Sequence, residues 1–325
     1  MAPRLGAEIL YLSRQDVQAC GLNAGDVTRA LVAMFRDRAD GRAWTQPKMT
    51  IFRPDGASFR AKGGALGGQG YGAMKWFGYF PDNARRGLPD FTPLILLNEG
   101  VSGMPVAVMD AVWISAVRTG CISAVAARWM ARPDATSIAF VACGTQARTN
   151  LDALLTVRPL SRVVAYSRRR STAESFAEEV RRRGLGARVT TDPGEAIGTC
   201  DIVVSSVPHG SPEARFLDAG SLAPGTFVSM VDLGYGWRKE SLTALDRIFT
   251  DDLAEVAPGG SERLNYDGPY AGDIAGLAAG RIPGRLAPDE RNALIFSGTG
   301  LADTAVAALV YEAALAKSIG RVLPL

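Results

Sequence analysis

Apolar residues along this chain gather in short β-rich runs separated by stretches of helical period, most clearly over residues 136–150, TSIAFVACGTQARTN. Ser137-Ile138-Ala139-Phe140-Val141 reads as a buried strand, Gly144 as the residue that lets the backbone turn closely, and residues 146–155 as a helix. The rhythm continues downstream. Residues 162–166 predict a second strand and 173–183 an amphipathic helix, and 187–191, 201–207, 226–233 and 247–251 predict further strands with short connections. Such alternation predicts a parallel sheet.

The first third is patterned differently. A glycine-rich stretch, residues 63–72 (GGALGGQGYG), leads into a strand over 73–78 in which Lys75 stands alone among apolar neighbours. A lone lysine in such a strand wants an anion. Residues 93–98 predict another strand, and Pro105-Val106-Ala107-Val108-Met109-Asp110 leads into a helix over 111–131. That helix sets small residues around one arginine, Arg118-Thr119-Gly120-Cys121-Ile122-Ser123-Ala124, which implies close approach of another backbone or of a cofactor.

With 325 residues, 47% hydrophobic and 21% charged, the chain can bury a large core and is expected to form two domains. A net charge of +3 is too small to imply a nucleic-acid or membrane partner. No apolar run is long enough to span a bilayer, and the N-terminus lacks a basic segment followed by an apolar one, so a cytoplasmic enzyme is the expectation. Cys20, Cys121, Cys143 and Cys200 are scattered without a C-x-x-C pair, as reduced structural thiols are. A single histidine, His209, rules out multi-histidine metal sites and leaves one conceivable Ser/His or Cys/His dyad, so no metal is expected. His209 falls at the predicted end of a strand and reads as a loop histidine near a cofactor, and Cys143 as a small buried residue rather than a nucleophile.

The turn at 142–147 carries the chemistry. Ala142-Cys143-Gly144-Thr145-Gln146-Ala147 is a degraded G-x-G-x-x-G/A, with alanine where the first glycine belongs. A dinucleotide pyrophosphate there would meet backbone N–H groups and the positive end of a helix, on Gly144, Thr145 and Gln146. About 20 residues further on, an NAD-binding fold places an acid for the adenosine ribose. This chain has Ser167, Arg168, Arg169 and Arg170 instead, which suits a 2′-phosphate and favours NADP(H) over NAD(H); the alternative is a solvated basic helix cap. Lys75 and Arg118 either converge on a substrate carboxylate or form two ordinary ion pairs.

Ala73-Met74-Lys75, the strand–loop from Leu97-Asn98-Glu99 to Asp110, the Arg118-Thr119-Gly120 helix and the terminal Gly298-x-Gly300-Leu301-Ala302-Asp303 helix together resemble the ornithine cyclodeaminase/μ-crystallin family over nearly the whole chain. The resemblance implies an α/β protein: a Rossmann-like dinucleotide-binding domain, residues 120–297, plus an α+β substrate and dimerisation domain, residues 1–119 completed by 298–325, with the active site in the cleft between them. It implies a homodimer acting on a small amino or imino acid. The function it points to is an NAD(P)H-dependent oxidoreductase of α-imino or α-amino acids. Alternatives are an ammonia-releasing amino-acid cyclodeaminase with catalytic NAD, and a non-catalytic μ-crystallin-like binding protein.

By the same resemblance Lys75 and Arg118 match the carboxylate-binding positions, Thr119 a cofactor-phosphate contact, and Ser206, Val207 and Gly298 further cofactor contacts. Asp232, in Met230-Val231-Asp232-Leu233-Gly234, matches the acidic catalytic residue of the cyclodeaminases and dehydrogenases; the other reading is a loop-capping acid. Two departures border the expected substrate pocket. Lys48 stands near where the family usually has an arginine as third carboxylate ligand, so that either Lys48 substitutes or the ligand is absent, and the segment after Asp232 is longer and more aromatic, through Tyr235 and Trp237. Both point to a substrate other than ornithine, bulkier or less polar. The glycines of 63–72 form either a mobile flap or a plain hairpin loop.

Overall fold

The computed structural model describes residues 2–68, 70–208, 215–257 and 264–325, in two compact units. The first begins with β1 (Glu8–Leu12), α1 (Arg14–Ala19) and α2 (Ala24–Ala39), followed by β2 (Ala43–Thr45), β3 (Met49–Phe52), β4 (Ser58–Leu66), β5 (Tyr71–Tyr79), β6 (Leu94–Glu99) and β7 (Pro105–Asp110). Capping boxes at Ser13 and Asn23 start α1 and α2, each closed by an aspartate three residues on. Helix α3 (Val112–Met130) contains the division, its residues through Arg118 belonging to the first unit and those from Thr119 to the second.

The second unit comprises β8 (Ser137–Val141), α4 (Thr145–Leu154), β9 (Arg162–Tyr166), α5 (Arg170–Arg182), β10 (Gly186–Val189), α6 (Pro193–Gly198), β11 (Ile202–Ser205), β12 (Phe227–Met230), β13 (Arg247–Thr250), α7 (Leu253–Val256), β14 (Gly272–Asp273), α8 (Ile274–Ala278) and β15 (Asn292–Ile295). Its sheet runs β10-β9-β8-β11-β12-β15-β13-β14, with every pair parallel. Strands β8, β11, β12 and β15 are buried at every position, which is why they read in the sequence as unbroken apolar runs. Strand order reverses between β8 and β11. In open α/β sheets a ligand binds beyond the carboxyl ends of the strands at such a switch point.

The chain then completes the first unit with α9 (Gly300–Lys317) and β16 (Arg321–Pro324). The first sheet runs β16-β1-β7-β6-β5-β4-β2, with β3 also on β4. Along β5 and β6 the alternation is strict: Lys75, Phe77, Ile95 and Leu97 face inward, while Met74, Trp76, Leu94 and Leu96 face out. Helix α9 is apolar nearly all round and lies buried against that inner face.

The close fit of α9 accounts for Gly63 and Gly64, and the flap reading is corrected. Gly63 and Gly64 lie inside β4 and Gly72 inside β5, so the stretch is mostly paired strand; Gln69 lies outside the described residues. A Cβ on Gly300 would stand 2.3 Å from the Gly63 carbonyl oxygen, and one on Gly64 would stand 2.9 Å from the Leu301 side chain. Bare backbone on both sides lets helix meet strand. The expected helix over 173–183 starts earlier, at Arg170, and the strand over 226–233 ends at Met230, where the backbone turns through left-handed Leu233 and Gly234.

Among the described residues no helix is long and apolar enough to cross a membrane, and no group of three or more His, Cys, Asp or Glu is placed to hold a metal ion.

Candidate functional site

In the first unit the site is built around one buried acid. Lys75, on the inner face of β5, donates from Nζ to both carboxylate oxygens of Asp303 at 2.8 Å. Arg118, on α3, donates from Nε to Asp303 Oδ1 at 3.2 Å, so its two terminal nitrogens are not spent on that carboxylate. Asp303 sits in the first turn of α9, where the helix dipole favours an anion, and is 1% exposed. Burial opposes its ionisation, but Arg118 and Lys75 outweigh burial and hold the carboxyl below its ordinary range. Lys75 behaves oppositely. Burial, reinforced by Arg118 and Lys62, pushes its ammonium down to about 7 against the pull of Asp303.

Of the two readings, the structure shows ion pairs for both Lys75 and Arg118, made to one shared buried carboxylate. Asp303 aligns the two cations and fixes their spacing. Gly298 takes part in the same arrangement: its φ is +79°, and a Cβ there would lie 2.3 Å from Arg118 Nη1, so glycine alone lets the guanidinium pass. The Gly298 carbonyl accepts a hydrogen bond from Lys62 Nζ. What this structure gives Gly298 is the approach of Arg118. Lys48 is buried just ahead of β3, and Thr119 is buried on α3.

Sequence reasoning assigned no role to Asp303 or Lys62. An acid in the first, otherwise apolar turns of the terminal helix was the available signal for Asp303, and it answers the anion that Lys75 wants.

In the second unit, the turn after β8 opens onto the switch point. The left-handed residue is Ala142, with φ +75°, rather than Gly144, whose φ of −84° suits any residue. Gly144 is the N-cap of α4 and makes no side-chain cap, and a Cβ built on it would meet nothing within 4 Å. The start of α4 is thus left without a side-chain cap on an exposed turn, as a pyrophosphate site at Thr145 and Gln146 requires. Ser167 Oγ accepts from Cys143 N at 2.9 Å and Ser206 Oγ donates to the Ala142 carbonyl at 3.2 Å, so both hydroxyls brace the turn. Burial pushes the Cys143 thiol up to about 11, away from nucleophilic use.

Arg168, Arg169 and Arg170 are exposed at the end of β9 and the start of α5. Arg170 pairs with Glu174 at 2.7 Å. Cations at a helix N-terminus oppose its dipole, so an anion at this spot would relieve a local conflict.

Asp232, 2% exposed, lies after β12 beside the same end of the sheet. Its Oδ1 accepts from Ser205 Oγ at 3.0 Å and Gly234 N at 3.2 Å, and its Oδ2 from Val207 N at 3.3 Å. Trp237 Nε1 donates to Ser205 Oγ at 2.9 Å, which ties the aromatic segment into the network. Burial pushes the carboxyl up to about 6 although those hydrogen bonds pull it down. The loop-capping role is thus present, and Val207 contributes its backbone N–H to it. His209 lies outside the described residues.

Comparison with known proteins places this architecture. The chain is 32% identical over 324 residues to the alanine dehydrogenase of Archaeoglobus fulgidus, covering 96% of this chain and 97% of that protein. A solved archaeal alanine dehydrogenase dimer with bound NAD matches with a TM-score of 0.83 at 28% identity, covering 97% of this chain and 99% of that one. The Δ1-pyrroline-2-carboxylate reductase of Thermococcus litoralis, solved with NADH and L-proline, shares the fold with a TM-score of 0.88 at 24% identity, covering 96% and 99%. Residues 8–318 match the family throughout, and the chain belongs to the ornithine cyclodeaminase/mu-crystallin family.

Proposed function

We propose that this chain is a nicotinamide-dependent oxidoreductase of small α-amino or α-imino acids, working at the α-carbon. The observation that carries this reading is the buried Lys75–Asp303–Arg118 triad, in a chain whose other unit offers an uncapped helix N-terminus at a sheet switch point. Lys75 and Arg118, prealigned by Asp303, hold the substrate α-carboxylate, the guanidinium through its terminal nitrogens. Lys48 is the third candidate ligand.

Gly144, Thr145 and Gln146 would hold the dinucleotide pyrophosphate, with Thr119, Ser206, Val207 and Gly298 as further contacts. A nicotinamide, when bound, would supply or accept a hydride at the α-carbon; in the reducing direction the C=N nitrogen would need a proton beside that hydride to give the amine. Asp232 is assigned the proton: a carboxyl pushed up to about 6 exchanges one near neutrality.

The finer preference is for NADP(H). Ser167 and three arginines stand where an acid would select NAD, and the arginines oppose the α5 dipole unless an anion joins them. Four buried free thiols fit a reducing, cytoplasmic setting. A homodimer belongs to the same reading: Met74 and Trp76 on β5 lie opposite Leu96 and Leu94 on β6, each between 40% and 47% exposed, an apolar sheet face that a second copy would cover.

The test follows nicotinamide absorbance with purified protein, NADPH or NADH, and a panel of cyclic imino acids and of α-keto acids with ammonium. Oxidation of the reduced dinucleotide, faster with NADPH, is the expected result. Ammonia release from a diamino acid with NAD recycled would mean cyclodeamination; a panel silent in both assays would leave a binding protein.

A further inference from the structure

The aromatic segment after Asp232 is the feature of the sequence that the proposed reaction leaves without a use. Trp237, which ends it, is fully buried in the core cluster that holds Leu217, Leu233 and Leu264, so its ring offers no surface to a ligand. A buried indole still needs an acceptor for its N–H. Trp237 Nε1 finds one in Ser205 Oγ at 2.9 Å, at the end of β11, and Ser205 is itself fully buried.

That bond fixes the serine. An indole nitrogen donates and never accepts, so Ser205 accepts on its oxygen and has one hydrogen left, which goes to Asp232 Oδ1 at 3.0 Å. Gly234 N donates to the same oxygen at 3.2 Å. Oδ2 accepts the longer bond, from Val207 N at 3.3 Å, and the backbone beside it is bare: a Cβ on Gly236 would stand 2.7 Å from Oδ2. With two donors facing Oδ1, a proton taken up by the carboxyl goes to Oδ2. Asn265 ties the turn in this shape, its Nδ2 donating at 3.0 Å to the carbonyls of both Gly234 and Trp237 and its backbone N to Leu233 O at 2.9 Å.

We infer that Trp237 is a positioning residue for the proton transfer: through Ser205 it commits Oδ1 of Asp232 to accepting hydrogen bonds and leaves Oδ2 as the oxygen that gains and loses the proton. In the reducing direction the Oδ2–H bond breaks with its electron pair left on the carboxylate, and the proton goes to the lone pair of the substrate nitrogen. The carboxylate left behind meets a hydroxyl already polarised by the indole. The inference rests on the proposed function in that it takes Asp232 as the proton carrier. From β11 the carboxyl meets Ser205 and Val207, and from its own turn Gly234 and Gly236, none of which has a titratable side chain.

The experiment reads the indole N–H proton resonance of Trp237, identified by its loss in Trp237→Phe, as pH is taken through the Asp232 transition at about 6 in the protein without substrate. In the wild type it should shift in one step, absent in Asp232→Asn and in Ser205→Ala and kept in Ser205→Thr. A resonance indifferent to Asp232, or a step that survives Ser205→Ala, overturns the inference. In turnover, Trp237→Phe should lower kcat by about 3- to 10-fold with KM and dinucleotide affinity little changed, Ser205→Ala by about 10- to 100-fold, and the double variant no further than Ser205→Ala. Additive losses, or an equal loss of dinucleotide affinity, would mean that Trp237 merely packs the core. Gly236→Ala crowds Oδ2 and should cost as much as Ser205→Ala; full turnover there would take the proton away from Oδ2. A wild type silent on every substrate counts against the redox reading alone, and the resonance step with its dependence on Ser205 then decides the inference.

Discussion

Lys75 and Asp232 are buried ionisable groups displaced from their ordinary values in opposite senses, and each makes stability depend on pH in its own window. Lys75 sits at about 7 in the fold against 10.5 in the open chain. Between those values the unfolded chain binds the extra proton, so stability rises as pH rises from about 7 toward 10.5. Replacing Lys75 with Met should flatten that rise in denaturant midpoints taken across the range; an unchanged slope would mean the lysine keeps its proton in the fold. Asp232 works the other way. Its carboxyl is raised from 3.8 to about 6, so the folded chain keeps a proton that the unfolded chain has released, and its contribution is present at low pH and lost as pH climbs through that interval. Asp232→Asn keeps an oxygen for Ser205 and Gly234 and gives up the 3.3 Å bond from Val207 N. The variant should therefore fold and bind dinucleotide but lose turnover by about 100-fold or more. Retained turnover would reduce Asp232 to its loop-capping work.

Between elements, glycine decides how closely a helix can sit, and two glycines separate packing from ligand binding. Gly300 at the start of α9 faces the Gly63 backbone, so Gly300→Ala should cost about 1–3 kcal/mol in spite of alanine's better helix propensity. Gly144 at the start of α4 has open space and an ordinary φ, so Gly144→Ala should leave the unfolding midpoint unchanged and weaken dinucleotide binding. Equal stability losses in both variants would contradict this division. The same distinction explains what the sequence made legible. Strands β8, β11 and β12 are buried on both faces and announce themselves as apolar runs, and the α4 turn follows β8 without a gap. Gly63 and Gly64 looked like loop because the reason for them, the backbone of α9, lies more than two hundred residues away in the chain. Asp303 was hidden for the same reason, its partners being Lys75 and Arg118. Strand β16 is a short, largely exposed edge strand, and its pairing with β1 joins the two ends of the first sheet's chain segments.

For the molecule as a whole, the exposed face of the first sheet sets the expectation of assembly. Met74, Trp76, Leu94 and Leu96 form two directly opposed cross-strand pairs on the side away from α9, and Tyr11 on β1 is likewise 38% exposed. Apolar side chains in register on neighbouring strands make a continuous patch rather than scattered surface hydrophobics, and water-facing patches of that kind mark interfaces. The inner face already has its cover in α9, while among the described residues these outer side chains stay exposed. If the partner at this interface is a second copy, the two-fold symmetry of a homodimer applies the same patch twice, and changes on one strand pair are felt on both sides of the contact. Trp76→Glu combined with Leu94→Lys keeps β propensity tolerable, leaves the buried Lys75 and Phe77 between and beyond them untouched, and puts opposite charges on adjacent strands, where they support the fold instead of straining it. Sedimentation at micromolar concentration should therefore give a dimer mass for the wild type and a monomer mass for the variant, with the near-ultraviolet signature of folded aromatic side chains retained. A wild type that sediments as a monomer, or a variant that still dimerises, would remove this face as the interface, since neither result is compatible with a contact centred on Trp76 and Leu94.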